Sequence, residues 1–105
     1  MLANVLRGAA ASGNEYRENG GYDESDFPGL NELMPLNMTP EQAAQRIEVT
    51  RIYVSSEERE GMAYLEIHGE CAWETDHGLM VVIHGHRLVG HYEQGTGWTD
   101  DQWGK

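Results

Sequence analysis

The feature that most restricts how this chain can fold is the stretch Cys71-Ala-Trp-Glu-Thr-Asp-His-Gly-Leu-Met80, which runs directly into Val81-Val82-Ile83, the most apolar segment present. Cys71 to Gly78 gathers a thiol, an indole, two carboxylates, an imidazole and a glycine between two runs of strand character. Upstream, Met62 to His68 alternates, with Ala63, Leu65 and Ile67 on one face and Glu66 and His68 on the other. Downstream, Leu79 to Ile83 and His86 to Tyr92 form two further strands around His84-Gly85, a two-residue loop in which glycine accepts positive φ freely and histidine is among the enriched residues. Ile47 to Val54, rich in β-branched residues, supplies one more strand. Strands joined by such short connections pair antiparallel. Their alternation predicts one buried and one largely wet face.

Two helices are expected to cover the buried face. Leu2, Val5, Leu6, Ala9, Gly13 and Tyr16 recur at helical spacing, so residues 2–17 read as an amphipathic helix with a thin, alanine-rich stripe. Gly13 weakens its second half by about 1 kcal/mol relative to alanine. So small a stripe must lie on a sheet or on another chain, and a homo-oligomer follows as one possibility. Thr39-Pro40-Glu41-Gln42 is a helix start: Thr39 caps, Pro40 fits the first helical position and Gln42 reaches back. That second helix is short, about residues 40 to 46, because β-branched residues take over at Ile47.

The segment between the helices, residues 18–38, lacks periodicity and contains Pro28 and Pro35, so it reads as an acidic loop pinned by Tyr22, Phe27, Leu30, Leu33, Met34 and Leu36. Ser55 to Gly61 reads as a charged connection, and 93–105 as an irregular tail whose Trp98 or Trp103 folds back onto the core or onto a partner. The whole chain of 105 residues is a single α+β domain on this reading: a four-stranded, mainly antiparallel meander with two helices on one face.

Charge narrows the function. Eighteen acidic residues against seven basic ones give a formal net charge of -11, which argues against DNA, RNA or an anionic membrane as partner. A basic protein is the expected partner, with solubility as the plainer use of the same charge. The candidate contact residues are Glu18, Asp23, Glu24 and Asp26 in the most acidic span, together with Trp98. One cysteine excludes an internal disulfide framework, Arg7 interrupts the apolar N-terminal run, and no run reaches the roughly 20 apolar residues of a membrane span. A cytoplasmic protein without a cofactor is expected.

Three readings compete for the central stretch. Imidazole and thiolate suit zinc, making Cys71, His77 and one of His84, His86 or His91 candidate ligands, although no pair has zinc-ribbon or H-x-x-x-H spacing. Cys71 and His77 could instead act as nucleophile and base, but no helix N-terminus follows the cysteine to lower its pKa. The favoured reading is a structural corner. Trp73 fills the core with Cys71 beside it, Glu74 and Asp76 accept from turn amides, His77 locks the turn through a backbone contact, and Gly78 supplies a conformation closed to other residues.

The pattern Cys71-x-Trp73-Glu74-x-Asp76-His77-Gly78-Leu79 resembles a bacterial family of unknown function whose motif runs Cys-x-Trp-Asp-x-Glu-His-Gly-Leu. Thr39-Pro40-Glu41 and the strand at Ile52-Tyr53-Val54 match the same layout, so the resemblance spans about residues 38 to 92. The two acids are exchanged here, and Met80 stands where the family tends to have glycine. The resemblance implies no known activity. Some members are similar to immunity proteins, which block basic toxins by charge complementarity. The resulting expectation is a non-enzymatic, acidic protein-binding module of immunity or regulatory type, with a metal-binding or thiol-based enzyme centred on Cys71 and His77 as the alternative.

Overall fold

The computed structural model describes residues 2–19 and 29–98. Its elements in chain order are α1 (Leu2–Asn19), α2 (Leu30–Leu33), α3 (Pro40–Ala44), β1 (Ile47–Arg59), β2 (Met62–Cys71), β3 (Glu74–His84) and β4 (Arg87–Tyr92). The strands form one antiparallel sheet in the order β1-β2-β3-β4, and the helices pack on one face of it. This is the α+β meander read from the residues, with α2 as an addition inside the expected loop. No helix among the described residues is long and apolar enough to cross a membrane.

The buried face joins Val5, Ala9 and Ala10 of α1, with Leu30, Met34, Met38 and Ala43, to Ile67, Cys71, Trp73, Leu79, Val81 and Ile83. Small residues let α1 lie close against this layer. A Cβ on Gly8 would stand 2.8 Å from Val81 Cγ1, and one on Gly13 would strike the Met38 side chain. Gly13 therefore trades helix propensity for contact, and α1 continues past it to Asn19. Its second half is tied down by Asn14, which donates to the Met38 carbonyl at 3.2 Å and accepts from the Met38 amide at 2.6 Å, and by Arg17, which donates to the Met34 carbonyl at 2.6 Å. At the start of α3 the Thr39 hydroxyl accepts from the Gln42 amide at 3.2 Å while the Gln42 side chain accepts from the Thr39 amide at 2.9 Å. The capping box expected there is present.

Three local expectations are corrected. Residues 55–59 are not a connection: β1 runs on to Arg59 and turns at Glu60-Gly61, both at positive φ (54° and 77°). Arg59 pairs with Met62 across that turn, the arrangement of a two-residue type I′ hairpin. The turn after β3 is Gly85-His86 rather than His84-Gly85, because His84 pairs with Arg87 and stays in the strand. Finally, the second face of the sheet is not simply wet. Tyr64, Met80 and Val82 are buried there, and Trp98 folds back over Tyr64 with ring centroids 5.0 Å apart.

Candidate functional site

The eight positions from Cys71 to Gly78 divide into a tight turn and a bulge. Cys71 pairs with Glu74, leaving Ala72 and Trp73 as the turn residues, and pairing resumes only at Gly69 with Leu79. Thr75 to Gly78 thus stand against Glu70 alone, three residues in excess on the β3 side, and loop out of the ladder. The Glu74 carboxylate closes the loop: its Oε1 accepts from the amides of Asp76 at 3.0 Å and His77 at 3.1 Å. Those two amides, His77's foremost, hold the Glu74 carboxyl below its usual range. Gly78 sits at φ 69°, and a Cβ there would lie 2.7 Å from the Gly69 carbonyl oxygen. The Trp73 indole is buried and donates to Ser12 Oγ of α1 at 3.1 Å.

Cys71 is buried, and burial pushes its thiol up to about 11. At neutral pH it is a protonated thiol 3.5 Å from the Glu74 carbonyl oxygen. His77 points elsewhere. Its Nδ1 lies 3.5 Å from Glu74 Oε1 and 3.8 Å from Glu93 Oε2. The Tyr16 phenol, from α1, donates to Glu93 Oε1 at 2.8 Å and stands 3.4 Å from Glu74 Oε2. Burial and the Glu93 carboxylate push that phenol well above its ordinary range. Glu74, His77 and Glu93 offer one ligand atom each within 4.8 Å of one another.

A shallow cleft of about 410 Å³ adjoins this cluster, lined by Ser12, Glu15, Tyr16, Asn19, His91, Tyr92 and Glu93. Within it His91 Nε2 is 3.3 Å from Glu15 Oε2, and burial lowers the His91 pKa against the opposing pull of that carboxylate.

Of the residues singled out in the sequence, the structure brings together Glu74 and His77. His86 lies in the turn beyond the other end of β3, nine residues along the chain from His77. His84 is buried and stacks on Tyr64, with its Nε2 3.1 and 3.2 Å from the carbonyls of Arg59 and Met62. Asp76 is exposed, as is Glu18 on α1. Trp98 is partly covered and donates to Glu66 Oε2 at 2.9 Å, while Asp23, Glu24 and Asp26 lie outside the described residues. Sequence reasoning missed Glu93 and Tyr16. Tyr16 was counted in an apolar stripe, and nothing in the sequence links Glu93 to the bulge.

A second region stands out by exposure. Among the described residues β1 is an edge strand, exposed along most of its length beyond Ile47: Val54 is 70% and Ile52 51% exposed, and Val49 and Tyr53 are also open to solvent. Ile52 pairs with Ile67 and Val54 with Leu65, so both continue the apolar face on which α1 packs further along the sheet. On the opposite face Tyr53 meets the His68 ring edge-on at 4.8 Å, and His68 Nε2 lies 3.2 Å from Glu66 Oε1.

The family described as Domain of unknown function (DUF6985) matches residues 3–96, and the chain belongs to that family. The match reaches back over α1, further than the motif-based likeness from residue 38 onward. No curated protein and no solved structure matches the chain.

Proposed function

We propose that this DUF6985 domain is a non-enzymatic protein-binding module that takes an extended segment of a basic partner onto the open edge of β1. The observation that carries this reading is the exposure of β1. An edge strand presents a row of unpaired backbone donors and acceptors, and natural proteins usually blunt such an edge or use it. Here, among the described residues, no strand pairs with the outer edge of β1, whose ladder shifts register after Val49 and after Val54, and Val49, Ile52 and Val54 offer apolar side chains beside that edge. Added strands gain affinity from main-chain hydrogen bonds and specificity from alternate side chains.

Charge selects the partner. Between Ile47 and Cys71 six glutamates stand against two arginines, and the chain as a whole carries -11. A lysine- or arginine-bearing strand is attracted to this edge, whereas a second copy of the chain brings another -11 to it. In its most concrete form the partner is the basic product of a neighbouring gene, neutralised as an immunity protein neutralises a toxin. The resemblance carried by Cys71 to Leu79 supports that form.

The test is a titration of the purified neighbouring gene product into this protein at low and at high ionic strength, with Ile52→Lys/Val54→Lys as the edge-blocked variant. Tight binding that weakens with salt and fails for the variant is expected. Absence of binding at low ionic strength overturns the reading. Light scattering run alongside detects the competing occupant: a dimer of this chain dissolved by the same two substitutions replaces the partner strand with a second β1.

A further inference from the structure

The cluster at the bulge carries an inference independent of partner binding. We infer that Glu74, His77 and Glu93 form a divalent transition-metal site, with His77 Nδ1 and one oxygen of each glutamate as ligands and zinc as the ion that best fits them.

Geometry supports this first. Four-coordinate zinc with bonds near 2.1 Å to nitrogen and oxygen places neighbouring ligand atoms about 3.4 Å apart. His77 Nδ1 already lies 3.5 Å from Glu74 Oε1 and 3.8 Å from Glu93 Oε2, and the three ligand atoms fall within 4.8 Å of one another. Two edges of the coordination triangle need little adjustment. The third closes by a small movement of Glu93, whose side chain is 46% exposed.

The surroundings hold the ligands from outside. The Asp76 and His77 amides fix the Glu74 carboxylate by donating to Oε1 itself, and Tyr16 donates to Glu93 Oε1, the oxygen other than the one 3.8 Å from His77. Groups that orient ligands without binding the ion are characteristic of built metal sites. The donors also come from separate parts of the chain: Glu74 and His77 from the bulge, Glu93 from the residue after β4 and Tyr16 from α1.

Ligand chemistry selects the ion. Calcium takes six to eight oxygens and magnesium a near-octahedral oxygen shell, whereas a nitrogen with two carboxylates suits zinc and its transition-metal neighbours. His77 is 61% exposed, so water can complete the tetrahedron, and the ion would sit beside the cleft that Glu93 helps to line.

Isothermal titration of the untagged full chain with zinc chloride tests the assignment, alongside His77→Ala, Glu93→Gln and Tyr16→Phe and with thermal melts confirming that each variant folds. The expected result is one zinc per chain, retained against a large excess of magnesium chloride. His77→Ala and Glu93→Gln each abolish that one-to-one binding, and Tyr16→Phe weakens it about 10-fold through loss of the orienting hydrogen bond. A wild-type chain that takes up no stoichiometric zinc overturns the inference. So does zinc binding that survives in His77→Ala, which would place the ion on other surface groups, or displacement by magnesium.

Discussion

From Gly78 to His84 every residue of β3 is buried, whereas along the thirteen residues of β1 only Ile47 and Ser55 are even partly covered. The two strands belong to one sheet and carry similar β-branched residues. They differ in what lies above and below them. α1 and the Tyr64, Met80 and Val82 cluster cover β3 on its two faces, while among the described residues β1 has its one ladder partner in β2. Stability therefore concentrates at β3 and at the turn feeding it, and the exposed side chains of β1 beyond Ile47 add little to the core. The separation permits substitutions that alter one property and spare the other.

The largest expected effect is on stability at the covered end. Trp73→Ala removes a buried indole and its bond to Ser12, and should cost about 3 to 5 kcal/mol in urea unfolding. Gly78→Ala should follow at about 1 to 3 kcal/mol, because the new methyl meets the Gly69 carbonyl and the residue must hold positive φ. His77→Ala, one residue away but exposed, should change stability by less than about 0.5 kcal/mol. If His77→Ala proved the more damaging of these two neighbours, the bulge would be a site first and a turn second.

A pH effect of intermediate size follows from Cys71. Burial raises its thiol from an ordinary 9.0 to about 11, so between those values the folded chain holds a proton that the unfolded chain has released. The stabilisation is fully present below about pH 9 and is lost as pH rises through 11. Urea midpoints should fall across that window, and Cys71→Ala should flatten the fall, with the raised Tyr16 phenol continuing the trend at higher pH. A slope unchanged in Cys71→Ala would remove the thiol from the account.

The smallest effect on stability is expected at β1. Ile52→Lys and Val54→Lys alter side chains already half or more exposed and should shift stability by no more than about 0.5 kcal/mol. A larger loss would mean that β1 contributes to the core after all.

Much of this fold was legible because it rests on local signals. The capping box at Thr39, the alternation of Met62 to His68 and the apolar run at Leu79 each specify an element without reference to distant residues. What escaped was set at long range. The glycine after His84 suggests a turn residue, yet stacking on Tyr64 and contact with the Arg59 and Met62 carbonyls hold the histidine in the strand. Glutamates made residues 55–59 look like a loop, but a strand with both faces wet carries charge at little cost. The cluster was half legible: Glu74 and His77 are neighbours in the chain, whereas Glu93 and Tyr16 reach them only because β4 and α1 end there.

The most direct test of the division between β3 and β1 is the affinity of the Ile52→Lys/Val54→Lys double variant for the basic partner proposed for β1, measured at low ionic strength beside its urea midpoint. The account predicts a midpoint close to that of the unaltered protein and an affinity at least about 10-fold weaker, the loss of a little over 1 kcal/mol at a contacted edge. Unchanged affinity in a fully folded double variant would contradict it, and would move the binding surface away from β1.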